Sequence, residues 1–397
     1  MMKLLFYKLL DIVHIIGRSC VNFVLKHSPW PQKYLLRRAE AYISLEEIPE
    51  KDKKIISTGQ NIEQKFPNLN SVTKSSLPET SGEIPRYFVN LINTVLFTSN
   101  SLLLYQEHRN KNFLIKELSC YTDCSFSDHD YHYLSRGKIY YRISNLPGRM
   151  AVINTPYAYR NYFHFLIDTL SRLAAFQLSG MEADWYCLSA EKKYEKECIK
   201  IFGLDENKVI SPKLYEAFTA QELIVPSLPY KYAKGTIESV DLPLNLDHSH
   251  WEYIKNKVLS HSPKLESDYS KIYLSRANAP QRKVSNEEEL SDFLLKEYGI
   301  RTVFPENFSV AAQAAIFNQA DMIISAHGAG LANLIFAKKD TTVIEIFPEN
   351  YKPQHYRMMS EKLSLKYFFT CIDVEDSQND FEIPLEAAEE IINYALA

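Results

Sequence analysis

A chain of 397 residues is long enough for two domains, each with a substantial core. Hydrophobic residues make up 46% and charged residues 24%, an ordinary balance for a globular protein, and a formal net charge of −4 gives no electrostatic reason to expect nucleic acid as a partner. Only Cys120 and Cys124 lie close together among the six cysteines, which favours a reducing compartment without structural zinc.

Met1 to Lys26 is apolar but interrupted by Lys3, Lys8, Asp11, Arg18 and Lys26, too often for a membrane-spanning helix. The spacing of Leu4, Leu5, Leu9, Ile12, Val13 and Ile16 predicts an amphipathic helix within residues 1–30. Such a helix either lies in a membrane interface or docks on its own domain or a partner subunit. A helical patch is expected around Lys33 to Ile43, and short β-type runs from Tyr87 to Ile153. Asp128-His129-Asp130 has the spacing of a metal-holding pair of aspartates, but no clear apolar strand precedes it, and it reads as loop.

Asn161 to Leu173 is the first stretch with chemistry in it. Phe163, Leu166, Ile167, Leu170, Leu173 and Ala174 recur at helical spacing and define a core face. Asn161, His164, Asp168 and Arg172 recur at three, seven and eleven residues and share another face, so a helix would present an imidazole and a carboxylate one turn apart. Facing a cleft, such a pair suits general-base work; facing solvent, it is a weak local ion pair. Residues 183–229 read as βαβ, and Pro226 to Pro243 as a linker.

The second half alternates regularly. Strands are predicted at Lys271–Leu274, Arg301–Phe304, Asp321–Ser325, Thr341–Ile346 and Lys366–Thr370. Helices are predicted from Ser285, over Ser309–Asn318 and over Leu385–Leu396, which together specify a doubly wound parallel sheet. Three groups then fall at strand carboxyl ends: Arg276 with Arg282, the loop from His327 through Gly328, Ala329, Gly330 and Leu331, and Glu345. The loop is either a ligand-free turn or a phosphate cradle built from backbone N–H groups at a helix start. Two guanidinium groups could grip a diphosphate, and a carboxylate could accept from ribose hydroxyls. Together these describe a pocket for a nucleoside diphosphate.

In order and spacing, Asn161–Leu173, Tyr273-Leu274-Ser275-Arg276 with Arg282 and Asn286-Glu287, Ala326–Asn333, and Val343–Pro348 resemble glycosyltransferase family 61. The resemblance covers about residues 150–350. It implies a GT-B type α/β architecture of two Rossmann-like domains facing a central cleft. The acceptor-side domain would occupy residues 31–245, the nucleotide-sugar-binding domain 246–384, and a closing C-terminal helix 385–397. It further implies an inverting transfer from a nucleotide-sugar, with UDP the expected nucleotide, that needs no cofactor or essential metal. The acceptor would be a growing glycan or lipid-linked saccharide.

By that resemblance Arg276, Arg282, Asn286, His327, Gly328, Ala329, Gly330, Leu331, Asn333 and Glu345 contact the donor, and Asn161 and Arg172 lie on the acceptor side. His164 and Asp168 are the catalytic pair; the resemblance does not settle which is the base, and the expectation is Asp168 with His164 as partner. The sequence lacks the cysteine-rich pattern of eukaryotic secretory members and looks more like the bacterial capsular polysaccharide branch, which implies a cytoplasmic enzyme touching the inner membrane through residues 1–26. A non-catalytic nucleotide-sugar-binding scaffold of the same assembly system is the alternative.

Overall fold

A computed structural model describes residues 39–57, 62–66, 69–70, 76–77, 80–84, 86–92, 94–97, 102–107, 111–115, 118, 142–155, 161–212, 216–227, 231–232, 248–374 and 380–397. The amphipathic helix expected within 1–30, the Asp128–Asp130 pair and most of the expected linker lie outside these residues. None of the described helices is long and apolar enough to cross a membrane.

The architecture is mixed α/β with several sheets. One six-stranded sheet joins Ala39–Ile43, Thr94–Phe97, Leu102–Glu107, Lys111–Ile115, Arg142–Asn145 and Glu216–Thr219. The helical patch expected around 33–43 therefore ends in a strand. Ala39–Ile43 runs parallel to Lys111–Ile115, a pairing distant in sequence that overrides local propensity.

A second six-stranded sheet is built from β1 (Lys53–Ser57), β2 (Tyr87–Leu91), β3 (Arg149–Val152), β4 (Trp185–Cys187), β5 (Val209–Ile210) and β6 (Glu222–Pro226), in the order β5-β4-β3-β6-β2-β1. Strands β3 to β6 are mutually parallel, and β2 and β1 close the edge in antiparallel fashion. The crossover from β3 to β4 carries α1 (Leu170–Leu178), and that from β4 to β5 carries α2 (Lys193–Ile201), giving a βαβαβ unit.

The C-terminal sheet is wholly parallel. It comprises β7 (Lys271–Leu274), β8 (Arg301–Val303), β9 (Met322–Ala326), β10 (Thr342–Pro348) and β11 (Lys366–Ile372) in the order β8-β7-β9-β10-β11. Every residue of β9 is buried, as expected for a central strand covered on both faces. The helices are α3 (His248–Leu259), α4 (Glu287–Tyr298), α5 (Val310–Gln319), α6 (His355–Lys362) and α7 (Leu385–Leu396). Acidic residues fill the first turn of α4, at the positive end of its dipole, and Gly299 ends it in the left-handed conformation at φ 66°.

Two segments depart from regular α-helix. His164–Thr169 winds as a π-helix before α1 continues as α-helix, and Ala329–Phe336 winds as a 3-10 helix. Both belong to one hydrophobic core shared by the two halves of the chain: Phe163, Leu166 and Leu170 are buried in the same cluster as Leu331, Leu334 and Tyr356. Fully burying Phe163 alone contributes roughly 1.5–3 kcal/mol.

Candidate active site

Strand β9 delivers the chain to His327 at the carboxyl edge of the sheet, where the His327 N–H donates to Ile346 O at 2.9 Å. The chain then passes Gly328 and enters the 3-10 helix, anchored by the buried side chains of Leu331, Leu334, Ile335 and Phe336. Gly328 itself is extended; what it requires is space. A Cβ there would collide with Nη1 of Arg276, so the guanidinium keeps this placement only beside glycine.

Arg276 leaves the end of the adjacent strand β7. Its backbone N–H donates to Glu287 Oε1 at 2.7 Å, Ser275 Oγ donates to Glu287 Oε2 at 2.7 Å, and Tyr273 Oη donates to Oε1 at 2.9 Å. One buried carboxylate at the start of α4 thus fixes the strand end. The Arg276 guanidinium folds over its own loop, with Nε donating to Arg282 O at 2.8 Å and Nη2 to Gln281 O at 2.6 Å. Arg282 has φ 54° and turns its Nε onto His327 O at 3.2 Å, while its guanidinium carbon lies 5.0 Å over the Tyr351 ring. Among the described residues neither arginine makes a salt bridge, so two positive charges adjoin with neutral acceptors only. Burial, followed by the Arg282 charge, lowers the Arg276 pKa to about 10, which leaves it charged at neutral pH.

His327 is buried among rings. It stacks on Phe347 with centroids 5.4 Å apart, and Tyr356 and Tyr351 lie at 5.3 and 5.5 Å. Its Nδ1 is 2.6 Å from Glu345 Oε1, and Tyr367 Oη donates to Glu345 Oε2 at 2.6 Å. Strand β10 continues to Pro348, so Glu345 sits in mid-strand, fully buried beneath His327, with both oxygens committed. That geometry gives it the task of orienting His327 in place of accepting from a ribose. Burial raises the Glu345 pKa well above the ordinary carboxylate range and lowers that of His327, so the pair holds a single proton and no net charge.

The remaining expected donor contacts are structural in this geometry. Asn286 exchanges both amide atoms with the backbone of Ile383, at 2.9 and 3.0 Å. Fully buried Asn333 donates to Gln313 Oε1 and Gly330 O and accepts from Tyr162 Oη at 2.7 Å. Ala329 and Gly330 open the 3-10 helix, and Leu331 is wholly in the core.

His164 Nδ1 is 2.9 Å from Asp168 Oδ2; the imidazole side chain keeps 12% exposure and the carboxylate none. Asn161 Oδ1 accepts from the His164 N–H at 3.1 Å and caps the segment. Arg172, expected on the same face, is buried instead. It donates to Asn154 O at 2.7 Å and Ser227 O at 3.2 Å, tying α1 to the ends of β3 and β6. A π-helix takes more residues per turn than an α-helix, so positions after it fall out of the α-helical phase that placed Arg172 beside His164.

The two groups meet across a single layer of rings. Phe163 stacks on His355 at 5.1 Å and packs edge-on to Tyr356 at 5.8 Å, while Tyr356 Oη donates to Gly328 O at 2.6 Å. The imidazole-bearing segment and the His327-Gly328 loop are therefore neighbours. Sequence gives Glu287 only as the neighbour of Asn286 in a matched motif, and Tyr351, His355 and Tyr356 carry no local signal beyond the His-Tyr pair that opens α6.

Residues 162–344, just under half of the chain, match the family model Glycosyltransferase 61. This segment holds His164, Arg276, His327 and Gly328. The protein O-linked-mannose beta-1,4-N-acetylglucosaminyltransferase 2 of Canis lupus familiaris is 32% identical over 101 residues, which are 22% of this chain and 17% of that protein. Beta-1,2-xylosyltransferase RCN11 of Oryza sativa subsp. japonica is 32% identical over 95 residues, 22% of this chain and 18% of that one. Beta-1,2-xylosyltransferase of Arabidopsis thaliana is 28% identical over 147 residues, 32% and 27% respectively. The chain spans less than a third of the length of each of these relatives. Among solved structures, a glycerate dehydrogenase related protein from Thermoplasma acidophilum aligns at a TM-score of 0.17 with 13% identity, over 60% of this chain and 91% of that one, and adds nothing to the assignment. Over residues 162–344 the chain is therefore similar to glycosyltransferases of family 61.

Proposed function

We propose that this protein is a metal-independent, inverting glycosyltransferase of GT-B type that moves a sugar from a UDP-sugar to a growing surface polysaccharide. The observation that carries the reading is the convergence of Arg276, Arg282 and the His327-Gly328 loop at one edge of the C-terminal sheet, with no described acid paired to either guanidinium. Two fixed cations in a partly buried place stabilise a departing diphosphate, the work a metal does elsewhere. Phe347 and Tyr351 pack around His327 and hold it beside the two arginines.

For the proton, the roles expected from sequence exchange. Asp168 has no exposed surface and His164 retains some, so an acceptor hydroxyl reaches the imidazole first. With Nδ1–H donated to Asp168, Nε2 of His164 is the base that takes the hydroxyl proton as the glycosidic bond forms and the diphosphate leaves, and Asp168 is the positioning residue. The proposed setting is the cytoplasmic side of a membrane, contacted through residues 1–26.

The test is a thermal-shift screen of nucleotide-sugars, since a ligand of the folded state raises Tm by mass action, followed by transfer assays in excess chelator. The reading expects UDP-sugars to stabilise and chelator to leave transfer intact. Stabilisation by no nucleotide-sugar, or activity abolished by chelator and restored by Mn²⁺, contradicts it.

A further inference from the structure

A cavity of about 350 Å³ lies at the far end of the 3-10 helix from Gly328, where Ile335 and Ala337 contribute to its wall. Eight residues of 3-10 helix at about 2.0 Å each set it roughly 16 Å from the arginine pair. Of the residues named in the candidate active site only Ile335, a core anchor of the 3-10 helix, also lines it.

Three lysines from three elements face this cavity: Lys255 on α3, Lys339 after the 3-10 helix, and Lys362 at the end of α6. Glu252 is the one acid among the lining residues, and His248 lies 4.0 Å from it. Lys255 Nζ donates to a neutral acceptor, Ala337 O, at 2.5 Å, and Lys362 Nζ lies 5.5 Å over the Trp251 ring. Lys339 is exposed and forms no ion pair among the described residues, whereas its neighbour Lys338 pairs with Asp321 at 2.7 Å. Trp251 lines the same cavity at 1% exposure, and its buried indole N–H has no acceptor among the described residues. Burial also lowers the proton affinity of Lys255, a cost that a neighbouring anion would reverse.

Ammonium groups from three elements, with the Asn256 amide beside them, suit a compact tetrahedral dianion better than a planar carboxylate. We propose that this cavity is a second anion site that binds a phosphate group, either on a soluble phosphate ester or on a lipid headgroup. The proposal does not rest on the transferase reading.

The test uses the full chain with Trp30→Phe and Trp185→Phe, which leaves Trp251 as the single indole reporter. Titration with inorganic phosphate is followed by Trp251 emission, and sedimentation with phosphatidylglycerol vesicles is compared with phosphatidylcholine. Lys339→Glu changes an exposed residue, so an unchanged Tm verifies the fold. Saturable phosphate binding weakened about fivefold by Lys339→Glu, and kept in Arg276→Gln/Arg282→Gln, supports a soluble ligand. Phosphatidylglycerol capture lost in Lys339→Glu supports a headgroup. Neither response, or phosphate binding that follows the arginines and ignores Lys339, overturns the second site.

Discussion

Gly328 is the residue on which the proposed donor site turns, because Arg276 occupies the volume its side chain would fill. Gly328→Ala forces the guanidinium away from the loop and is expected to abolish UDP binding while the protein still unfolds cooperatively. Gly330→Ala is the control: the nearest atom to its Cβ would be Pro305 Cγ at 3.7 Å, an ordinary contact, so binding should persist. Calorimetric titration of both variants checks the pair.

The His327–Glu345 pair makes a pH prediction. In the folded protein the pair keeps one proton, whereas an unfolded chain holds two below about pH 4.5, one between about 4.5 and 6.5, and none above. The pair's contribution is therefore flat from about pH 4.5 to 6.5 and falls on either side. In Glu345→Gln the folded state holds no proton there while unfolded His327 still gains one. The variant should lose about 1.4 kcal/mol per pH unit relative to wild type as pH drops from 6.5. Denaturant titrations at pH 7 and pH 5 measure the difference; parallel changes in the two proteins would contradict the neutral pair.

Among the elements, the π-helical turn bearing His164 sits where irregular winding serves a purpose: it sets His164 against Asp168 at 2.9 Å and lets Phe163 reach His355. His164→Ala and Asp168→Asn should keep UDP binding and reduce transfer, the first by about 10²–10⁴-fold. Transfer by His164→Ala at the wild-type rate would remove it as base. Glu197 on α2 offers an independent check on how the halves join, since its two oxygens accept from the Val310 and Ala311 N–H groups at 2.8 and 2.9 Å. Removing this cap in Glu197→Ala should cost about 1–2 kcal/mol of stability with UDP affinity unchanged, Ser309 Oγ still capping the Ala312 N–H.

What could be read from sequence also divides by element. Strand–loop–helix alternation places strand ends at one edge of a parallel sheet, so Arg276, Arg282 and the His327 loop were legible there. Glu345 was not, because a strand covered on both faces gives no alternation to tell which side a carboxylate takes, and its partner Tyr367 comes from the next strand. Asn286 and Glu287 stand side by side in the motif, and sequence could not say that Glu287 turns inward to hold Arg276 while Asn286 ties Ile383. Tyr356 reaches Gly328 from 28 positions away, a contact no local pattern announces.

At the scale of the molecule, the candidate site is a consequence of one core. Leu166, Leu331 and Tyr356 are buried in a single cluster, and Tyr162 bonds Asn333 across it, so the His164-bearing segment and the His327-Gly328 loop are held against each other by packing. The matched family segment begins at Tyr162 and runs through β9 into β10, and so contains the elements that build this junction. The most direct measurement is isothermal titration of UDP into wild type, Arg276→Gln/Arg282→Gln and His164→Ala. Saturable binding in wild type, weakened at least about tenfold by the double arginine variant and unaltered by His164→Ala, is the predicted result. Equal affinity in wild type and the arginine variant would contradict the diphosphate site.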